Sequence, residues 1–279
     1  MKWPVLNLRV FQKYKMPKQG YYFLLALGFF TRIPVPNFPN FNESDLNHCA
    51  KYFPLIGIVV GLIGAASFAL SAEFLPQNVA VLISMVATIY LTGAFHEDGL
   101  ADSADGLGGG LGREQILTIM HDSRLGTYGA VAVFLMLFAK FQLLNSLNSY
   151  FVSFALIAGH ALSRLSAVYV IATLSYTKPE GKAKPLATQI SALDLAVANV
   201  FGLLPFFVMV GLLVINNHSP SITIKFGLMT LIPVLLSWCW WRHKIYKWLG
   251  GYTGDTLGAM QQIVELAFYL GLTVWSYNV

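Results

Sequence analysis

Long apolar blocks are the feature that most restricts how this chain can fold. Seven such blocks are separated by shorter polar segments, and they lie at 54–74, 79–96, 127–145, 150–174, 195–215, 222–241 and 257–277. A helix needs about 20 mostly apolar residues to cross the hydrocarbon core of a bilayer, so each block is predicted to be a membrane span. Charged residues make up only 11% of the chain, against about 25% in a typical soluble domain. The sequence therefore predicts an all-α, polytopic helical membrane bundle with about seven transmembrane helices.

The N-terminal region carries a shorter apolar stretch at 21–30. It is about half the length of a span, and Pro34 and Pro36 follow it closely. Because proline stops a helix, this stretch is predicted to be a short interfacial or re-entrant helix rather than a crossing. Residues 1–20 are predicted to form a basic cytoplasmic tail, and 21–279 to form a single integral membrane domain.

The distribution of lysine and arginine predicts the orientation of the bundle. Of the 18 basic residues, 15 lie in five segments, at 1–20, 31–53, 97–126, 175–194 and 242–256. Basic residues mark cytoplasmic loops, so these segments and the N-terminus are predicted to face the cytoplasm. The same segments hold 11 of the 13 acidic residues, which places the candidate chemistry at one membrane face. No basic stripe interleaved with aromatic residues is present, so nucleic acid is not an expected partner.

An acidic segment follows the second apolar block directly. Asp98, Asp102 and Asp105 are spaced i, i+4 and i+7, so they share one face if the segment is helical. Carboxylates this close repel one another unless a cation compensates them, and hard oxygen ligands suit Mg²⁺ or Mn²⁺. Glu97 points away from that face and is a weaker candidate for the metal set. The alternative interpretation is a solvated acidic loop.

A glycine-rich stretch at 106–112 comes next. It is expected not to hold a regular helix, and the backbone N–H groups of Gly108 and Gly109 could then approach a substrate phosphate. The stretch matches neither the P-loop nor the dinucleotide-binding pattern. A flexible lid or hinge is the alternative.

Further candidate site residues lie in the segment 120–129 and beside the acidic run. Arg124 offers a fixed fork of donors suited to phosphate oxygens, and Asp122 is a candidate metal ligand or base. His96 and His121 flank the acidic run and are candidates for the general base. The alternatives are helix capping and a positive-inside signal for the segment, and structural roles for the histidines.

Three more charged residues enter the candidate site. Asp255, before the last apolar block, either joins the metal cluster or caps the helix that follows. Arg164 and Lys140 lie within spans, where an unpaired cation is costly, so both are predicted to contact an anionic substrate. His160 lies four residues before Arg164 and shares its helix face. The alternatives are a buried acid or backbone carbonyl as partner for Arg164, and a Lys140 side chain that reaches for the outer membrane interface.

Two motifs, 95–106 and 120–129, together resemble the signature of the cobalamin synthase family, also called adenosylcobinamide-GDP ribazoletransferases. The segments 30–36, 53–57 and 254–258 also match the family, in its order along the chain. The resemblance implies an enzyme of the cytoplasmic (inner) membrane of a prokaryote, a transferase of phosphorus-containing groups. It would join α-ribazole, or its 5′-phosphate, to adenosylcobinamide-GDP, release GMP and require a divalent metal, typically Mg²⁺. Assembly into a homo-oligomer is compatible with the resemblance.

This chemistry assigns expected roles to the candidate residues. We expect the three aspartates to hold Mg²⁺ on the pyrophosphate of the substrate, and Arg124 to neutralise transition-state charge. Asp122 or a flanking histidine would take the proton from the attacking hydroxyl.

Two other functions compete with this interpretation. The sequence at 102–106 is similar to the opening aspartate pair of CDP-alcohol phosphotransferases, but the second aspartate pair of that motif is absent from the sequence. An ion or metabolite transporter would place its acidic residues inside the spans and often has repeated halves.

Overall fold

The computed structural model describes residues 17–36, 45–177 and 187–278, which form a helical bundle without β-strands in these ranges. Most of the predicted basic tail and the three lysines of the segment 175–194 lie outside the described residues. The helices are α1 Lys18–Phe30, α2 Asp45–Cys49, α3 Phe53–Ala72, α4 Gln77–Thr92, α5 Phe95–Gly109, α6 Arg113–Met120, α7 Thr127–Ser146, α8 Ser149–Thr173, α9 Ala192–Ile215, α10 Pro220–Leu249 and α11 Gly254–Tyr277. A short 3-10 turn, Ala50–Tyr52, joins α2 to α3.

Membrane spans are confirmed in number and approximate position. Six helical stretches of the described chain are long and apolar enough to cross a bilayer, and α2 runs with α3 into one of them, Asp45–Ala72. A bent pair, α4 with α5, raises the number to seven if it counts as one broken span. The protein is therefore a polytopic helical membrane protein, and α1 is a short additional helix of 13 residues, as predicted.

The predicted span 79–96 is wrong in detail, because the helix ends at Thr92 and the chain turns by 84° into α5. Gly93 and Ala94 both adopt left-handed backbone conformations, with φ of 67° and 59°, and these two residues make the break. The backbone N–H of Arg32 donates to the Leu91 carbonyl (2.7 Å), which satisfies an acceptor at the end of α4. With 16 residues, α4 is about 24 Å long, shorter than a bilayer core of about 30 Å.

Two more boundaries differ from prediction. Helix α5 continues into the glycine-rich stretch as far as Gly109, so the expectation that this stretch cannot be helical is wrong for 106–109, whereas 110–112 lie outside the helices. A Cβ atom on Gly106 would overlap the side chain of Met120, so glycine here allows α6 to pack closely against α5. Helix α10 extends to Leu249, eight residues beyond the predicted end at 241, and includes the first half of a segment that we predicted to be a loop.

Helix α8 forms the centre of the bundle. It packs most extensively against α3, where Gly57 and Gly61 bring the two backbones together, and a Cβ on Gly61 would lie 2.5 Å from the Ile157 Cα. Small residues at a helix interface allow the close packing on which association in a membrane depends. In contrast, α7 and α10 expose most of their apolar surface, as expected for lipid-facing helices.

Candidate functional site

Two helix starts, those of α5 and α11, meet at one end of the bundle. A Cβ on Gly99 would lie 2.8 Å from the Asp255 carbonyl oxygen, and one on Gly258 would lie 3.4 Å from the His96 Cα. The two glycines therefore let the helices touch through their backbones. This contact brings Asp255 beside Asp98, close enough for the two carboxylates to repel each other.

The predicted helical face of α5 holds three aspartates in three different environments. Asp98 is exposed, Asp102 is half-buried and Asp105 is buried. Asp105 Oδ2 accepts a hydrogen bond from the Gly126 N–H and Oδ1 accepts one from the Gly129 N–H, both at 2.8 Å. These are backbone donors at the start of α7, where a helix has unsatisfied N–H groups and a favourable dipole for an anion. Asp105 therefore caps α7, a role that the sequence prediction of a metal ligand did not include.

Glu97 lies away from the aspartate face, as predicted. Its side chain is buried and accepts a hydrogen bond from Gln262 Nε2 (3.0 Å), while its Oε2 atom has no hydrogen-bond partner. This position inside the bundle separates it from the exposed Asp98.

A cluster for a metal ion is not preformed in the described ranges, where no group of three or more His, Cys, Asp or Glu side chains is arranged to hold one. Mg²⁺ is usually held by one or two protein carboxylates together with substrate phosphates, rather than by a cage of protein ligands. The carboxylates of Asp98, Asp102 and Asp255 are hard oxygen ligands of this kind, and two of them would be enough for an ion shared with a diphosphate. Their partial exposure also leaves room for such a substrate.

The loop between α6 and α7 carries Asp122 and Arg124 as an ion pair. Arg124 Nη2 lies 2.6 Å from Asp122 Oδ2, and Nε donates to both carboxylate oxygens. These hydrogen bonds lower the pKa of Asp122 to about 2 and raise the pKa of Arg124. A carboxylate with so low a pKa is a weak proton acceptor, so this geometry does not favour Asp122 as the general base. The Arg124 side chain is 87% exposed and accessible to an anion. His121 is also exposed, at the end of α6.

Gly108 and Gly109 do not form a phosphate-binding loop, so that interpretation is wrong. Both are helical residues of α5, and α-helical amides are used within the helix. A Cβ on Gly108 would lie 2.7 Å from the Tyr128 ring, so this glycine makes room for an aromatic side chain of α7.

A buried ion network occupies the bundle interior and centres on Glu265, a residue that the sequence analysis missed. Lys140 Nζ lies 2.9 Å from Glu265 Oε1, and His160 Nδ1 lies 3.1 Å from Oε2. Tyr269 donates to the same carboxylate (3.0 Å), and Gln261 also bonds to it. Lys140 is thus neither a substrate contact nor directed to the outer interface, because a buried acid already holds it. The sequence feature that could have identified Glu265 is that it is the one acidic residue within the apolar block 257–277.

Arg164 differs from Lys140, because part of its guanidinium has no partner. It is 2% exposed, and Nη1 lies 3.1 Å from the His160 carbonyl oxygen, but Nε makes no hydrogen bond. Arg164 lines a pocket of about 510 Å³, counted with its open mouth. We call this the aromatic pocket, and its walls include Phe30, Phe53, Phe95, His96, Leu257, Gly258 and Gln261.

Four of the segments that carry the family resemblance thus converge at one end of the molecule. Segments 30–36, 53–57, 95–106 and 254–258 each contribute to the wall of the aromatic pocket, and two of them also carry the carboxylates beside it. These segments are separated in the sequence by up to about 220 residues, so their convergence is a property of the fold. His96 belongs to the pocket wall, where its ring lies parallel to Phe30 with centroids 5.8 Å apart.

Comparison with known proteins gives a consistent result. The family model described as cobalamin-5-phosphate synthase matches residues 22–273. An adenosylcobinamide-GDP ribazoletransferase of Ralstonia pickettii is 46% identical over 253 residues, which cover 90% of this chain and 94% of the relative. A protein of the same name from Shewanella amazonensis is 45% identical over 262 residues, 92% of this chain and 96% of that one. No solved structure matches the chain. The match over nearly the whole sequence confirms the resemblance, and the chain belongs to the cobalamin-5-phosphate synthase family.

Proposed function

We propose that the protein is an adenosylcobinamide-GDP ribazoletransferase. An oxygen of the acceptor, a ribose hydroxyl of α-ribazole or its 5′-phosphate, forms a bond to the cobinamide-bearing phosphorus. The pyrophosphate bond breaks, GMP leaves, and the hydroxyl proton passes to a base. The observation that supports this proposal most directly is that Asp98 and Asp255 lie close together where α5 meets α11, beside a pocket, with Asp102 one helical turn further along α5.

The carboxylates would hold Mg²⁺ on the substrate diphosphate. Asp98 and Asp102 lie one helical turn apart on α5, and Asp255 approaches from the first turn of α11. Bound there, the ion supplies charge neutralisation on the phosphate oxygens. Asp105 is outside this set, because both of its oxygens bind the start of α7.

Arg124 would bind the diphosphate on its exposed side. Its guanidinium suits phosphate oxygens, and its present partner Asp122 keeps the long side chain ordered on the α6–α7 loop. Phosphoryl transfer depends on positioning and on neutralising charge, so an exposed guanidinium of this kind would contribute when the substrate binds. His121 stays a candidate for the base, since it is exposed on the same loop, whereas His96 is buried in the pocket wall.

The reaction would take place at the cytoplasmic face of the inner membrane. The basic segments favour a cytoplasmic position for α5, α6 and the start of α11 by the positive-inside rule. Adenosylcobinamide-GDP and α-ribazole 5′-phosphate are charged and belong to the aqueous phase, which agrees with that side.

Product analysis tests the proposal. Purified protein with adenosylcobinamide-GDP, α-ribazole 5′-phosphate and Mg²⁺ should release GMP in a one-to-one ratio with the cobamide product. Chelation with EDTA should stop the release and added Mg²⁺ should restore it.

Asp102→Asn should lower turnover by about 100-fold or more, because several kcal/mol of charge stabilisation are lost. Glu114→Gln, an exposed acid on α6, is the matched control and should keep normal turnover. Full activity of Asp102→Asn would contradict the assignment.

A further inference from the structure

The aromatic pocket has a composition that points to its ligand. Phe30 forms part of its wall and contacts Phe53 edge to face at 4.7 Å, Phe95 edge to face at 5.7 Å and His96 in parallel at 5.8 Å. The remaining wall is mostly aliphatic and includes Ala167. Flat, apolar walls of this kind favour a planar aromatic guest that can stack and meet ring edges.

Arg164, in the wall of the pocket, has an unused donor. The Arg164 Nε atom is buried and makes no hydrogen bond. Gln261 also lies in the wall, but its side-chain amide already donates to Ser163 and Glu265. A buried donor without a partner is unfavourable, so a ligand with one well-placed acceptor would be stabilised there.

The pocket also lies beside the proposed reaction centre. Gly254 and Gly258 line it, and Asp255 lies between them on the first turn of α11. On α5, His96 lines the pocket, and Asp98 follows two residues later. A ligand whose ring fills the pocket would therefore hold its attached group near the carboxylates.

We propose that the aromatic pocket binds the base of the acceptor nucleoside. This inference rests on the proposed function, in which the acceptor is α-ribazole, whose base is a benzimidazole. The two fused rings would stack against the aromatic walls, and the ring nitrogen that carries no ribose would accept the hydrogen bond from Arg164 Nε. The ribose would then extend toward Asp98 and Asp255. A corrin macrocycle with its side chains is much larger than this pocket, even when the open mouth is counted, so the corrin ring of adenosylcobinamide-GDP would lie outside it.

A pair of matched cavity-filling variants tests the location. Ala167→Phe fills the aromatic pocket, whereas Ala139→Phe fills the separate groove between α7 and α10 that is lined by Ala139, Leu135 and Trp240. We expect Ala167→Phe to raise the KM for α-ribazole 5′-phosphate at least about tenfold, which corresponds to a loss of about 1.4 kcal/mol of acceptor binding. The KM for adenosylcobinamide-GDP should stay within twofold. Ala139→Phe should leave both constants unchanged. A rise in the corrinoid KM alone, or no change in either constant, would overturn the inference while leaving the proposed function intact.

A measurement on the unaltered protein covers the case in which Ala167→Phe does not fold. Benzimidazole should bind the full-length protein in detergent with one site per chain, and α-ribazole should displace it. In turnover it should inhibit competitively against α-ribazole 5′-phosphate but not against adenosylcobinamide-GDP. The direct binding assay needs no activity, so it still decides the inference if the transferase reaction is absent and the proposed function fails. No saturable binding of benzimidazole would overturn the inference.

Discussion

Individual carboxylates in this protein have separable tasks. Asp105 satisfies two backbone donors at the start of α7, whereas Asp98 on the same helix is exposed. Glu265 neutralises cations inside the bundle. Sequence spacing put Asp98 and Asp105 into one group, and only their partners distinguish the structural residue from the candidate ligand.

The two aspartates of α5 should respond differently to the same substitution. Asp105→Asn replaces an acceptor oxygen with an NH₂ group that faces backbone donors, so it should destabilise the protein by about 1–3 kcal/mol. Asp98→Asn should leave stability within about 0.5 kcal/mol, as expected of an exposed site, while lowering turnover. Thermal unfolding in detergent and GMP release measure the two effects. Equal Tm values for both variants would contradict the capping role of Asp105.

The buried acid Glu265 should be essential for stability. Glu265→Gln leaves Lys140 as an uncompensated cation inside the bundle, and breaking a buried ion pair in this way costs about 3–5 kcal/mol. We expect a large fall in Tm or a loss of folded protein from the membrane. Glu73→Gln, at the end of α3 and outside this network, serves as the control. A Glu265→Gln protein as stable as the unaltered one would show that the network contributes little.

The ion pair on the α6–α7 loop gives a prediction about pH. The Asp122 pKa is lowered to about 2 by hydrogen bonds from Arg124, so Asp122 stays ionised at every pH above that value. Any stabilisation from this pair is present above the unfolded-state pKa of about 3.9 and is lost as the pH falls toward 2. The acid limb of the pH–rate profile should therefore keep its apparent pKa in Asp122→Asn. A shift of that limb would mean that Asp122 is the titrating base.

At the scale of elements, the break between α4 and α5 positions the site. Because Gly93 and Ala94 turn the chain by 84°, α5 leaves the direction of the span and meets α11. The same turn brings His96 into the aromatic pocket. Alanine is unusual in the left-handed region, which suggests that the surrounding helix contacts hold the break in place.

The strain at this break can be measured. Ala94→Gly should stabilise the protein by up to about 1 kcal/mol, because glycine adopts a positive φ without steric cost. Gly93→Val should destabilise it, since a Cβ there would lie 2.9 Å from Arg32 Nε in addition to the unfavourable φ. Gly112→Ala is the control, because its backbone is extended and no atom lies within 4 Å of the added Cβ. A destabilised Ala94→Gly would argue against strain at this position.

At the scale of the whole molecule, the orientation in the membrane is open to test. In a Cys239→Ser background, Leu111→Cys and His218→Cys place a thiol at each of the two predicted membrane faces, and both positions are exposed. We expect a membrane-impermeant maleimide to label His218→Cys in intact cells, and Leu111→Cys only after lysis. The reverse pattern would place the carboxylates outside and contradict a cytoplasmic site.

The sequence by itself determined what depends on local composition. The apolar blocks predicted the spans because twenty or so apolar residues fit a bilayer whatever their neighbours, and the spacing of Asp98 and Asp102 correctly predicted a shared helical face. The two acidic motifs identified the family.

Only the tertiary structure decided which groups are paired. Lys140 with Glu265, Asp105 with the start of α7 and the partly unpaired Arg164 beside the aromatic pocket all depend on contacts between helices distant in sequence. The hydrophobicity of a segment determines whether it enters the membrane, but the packing of the helices determines which partner a buried polar group has.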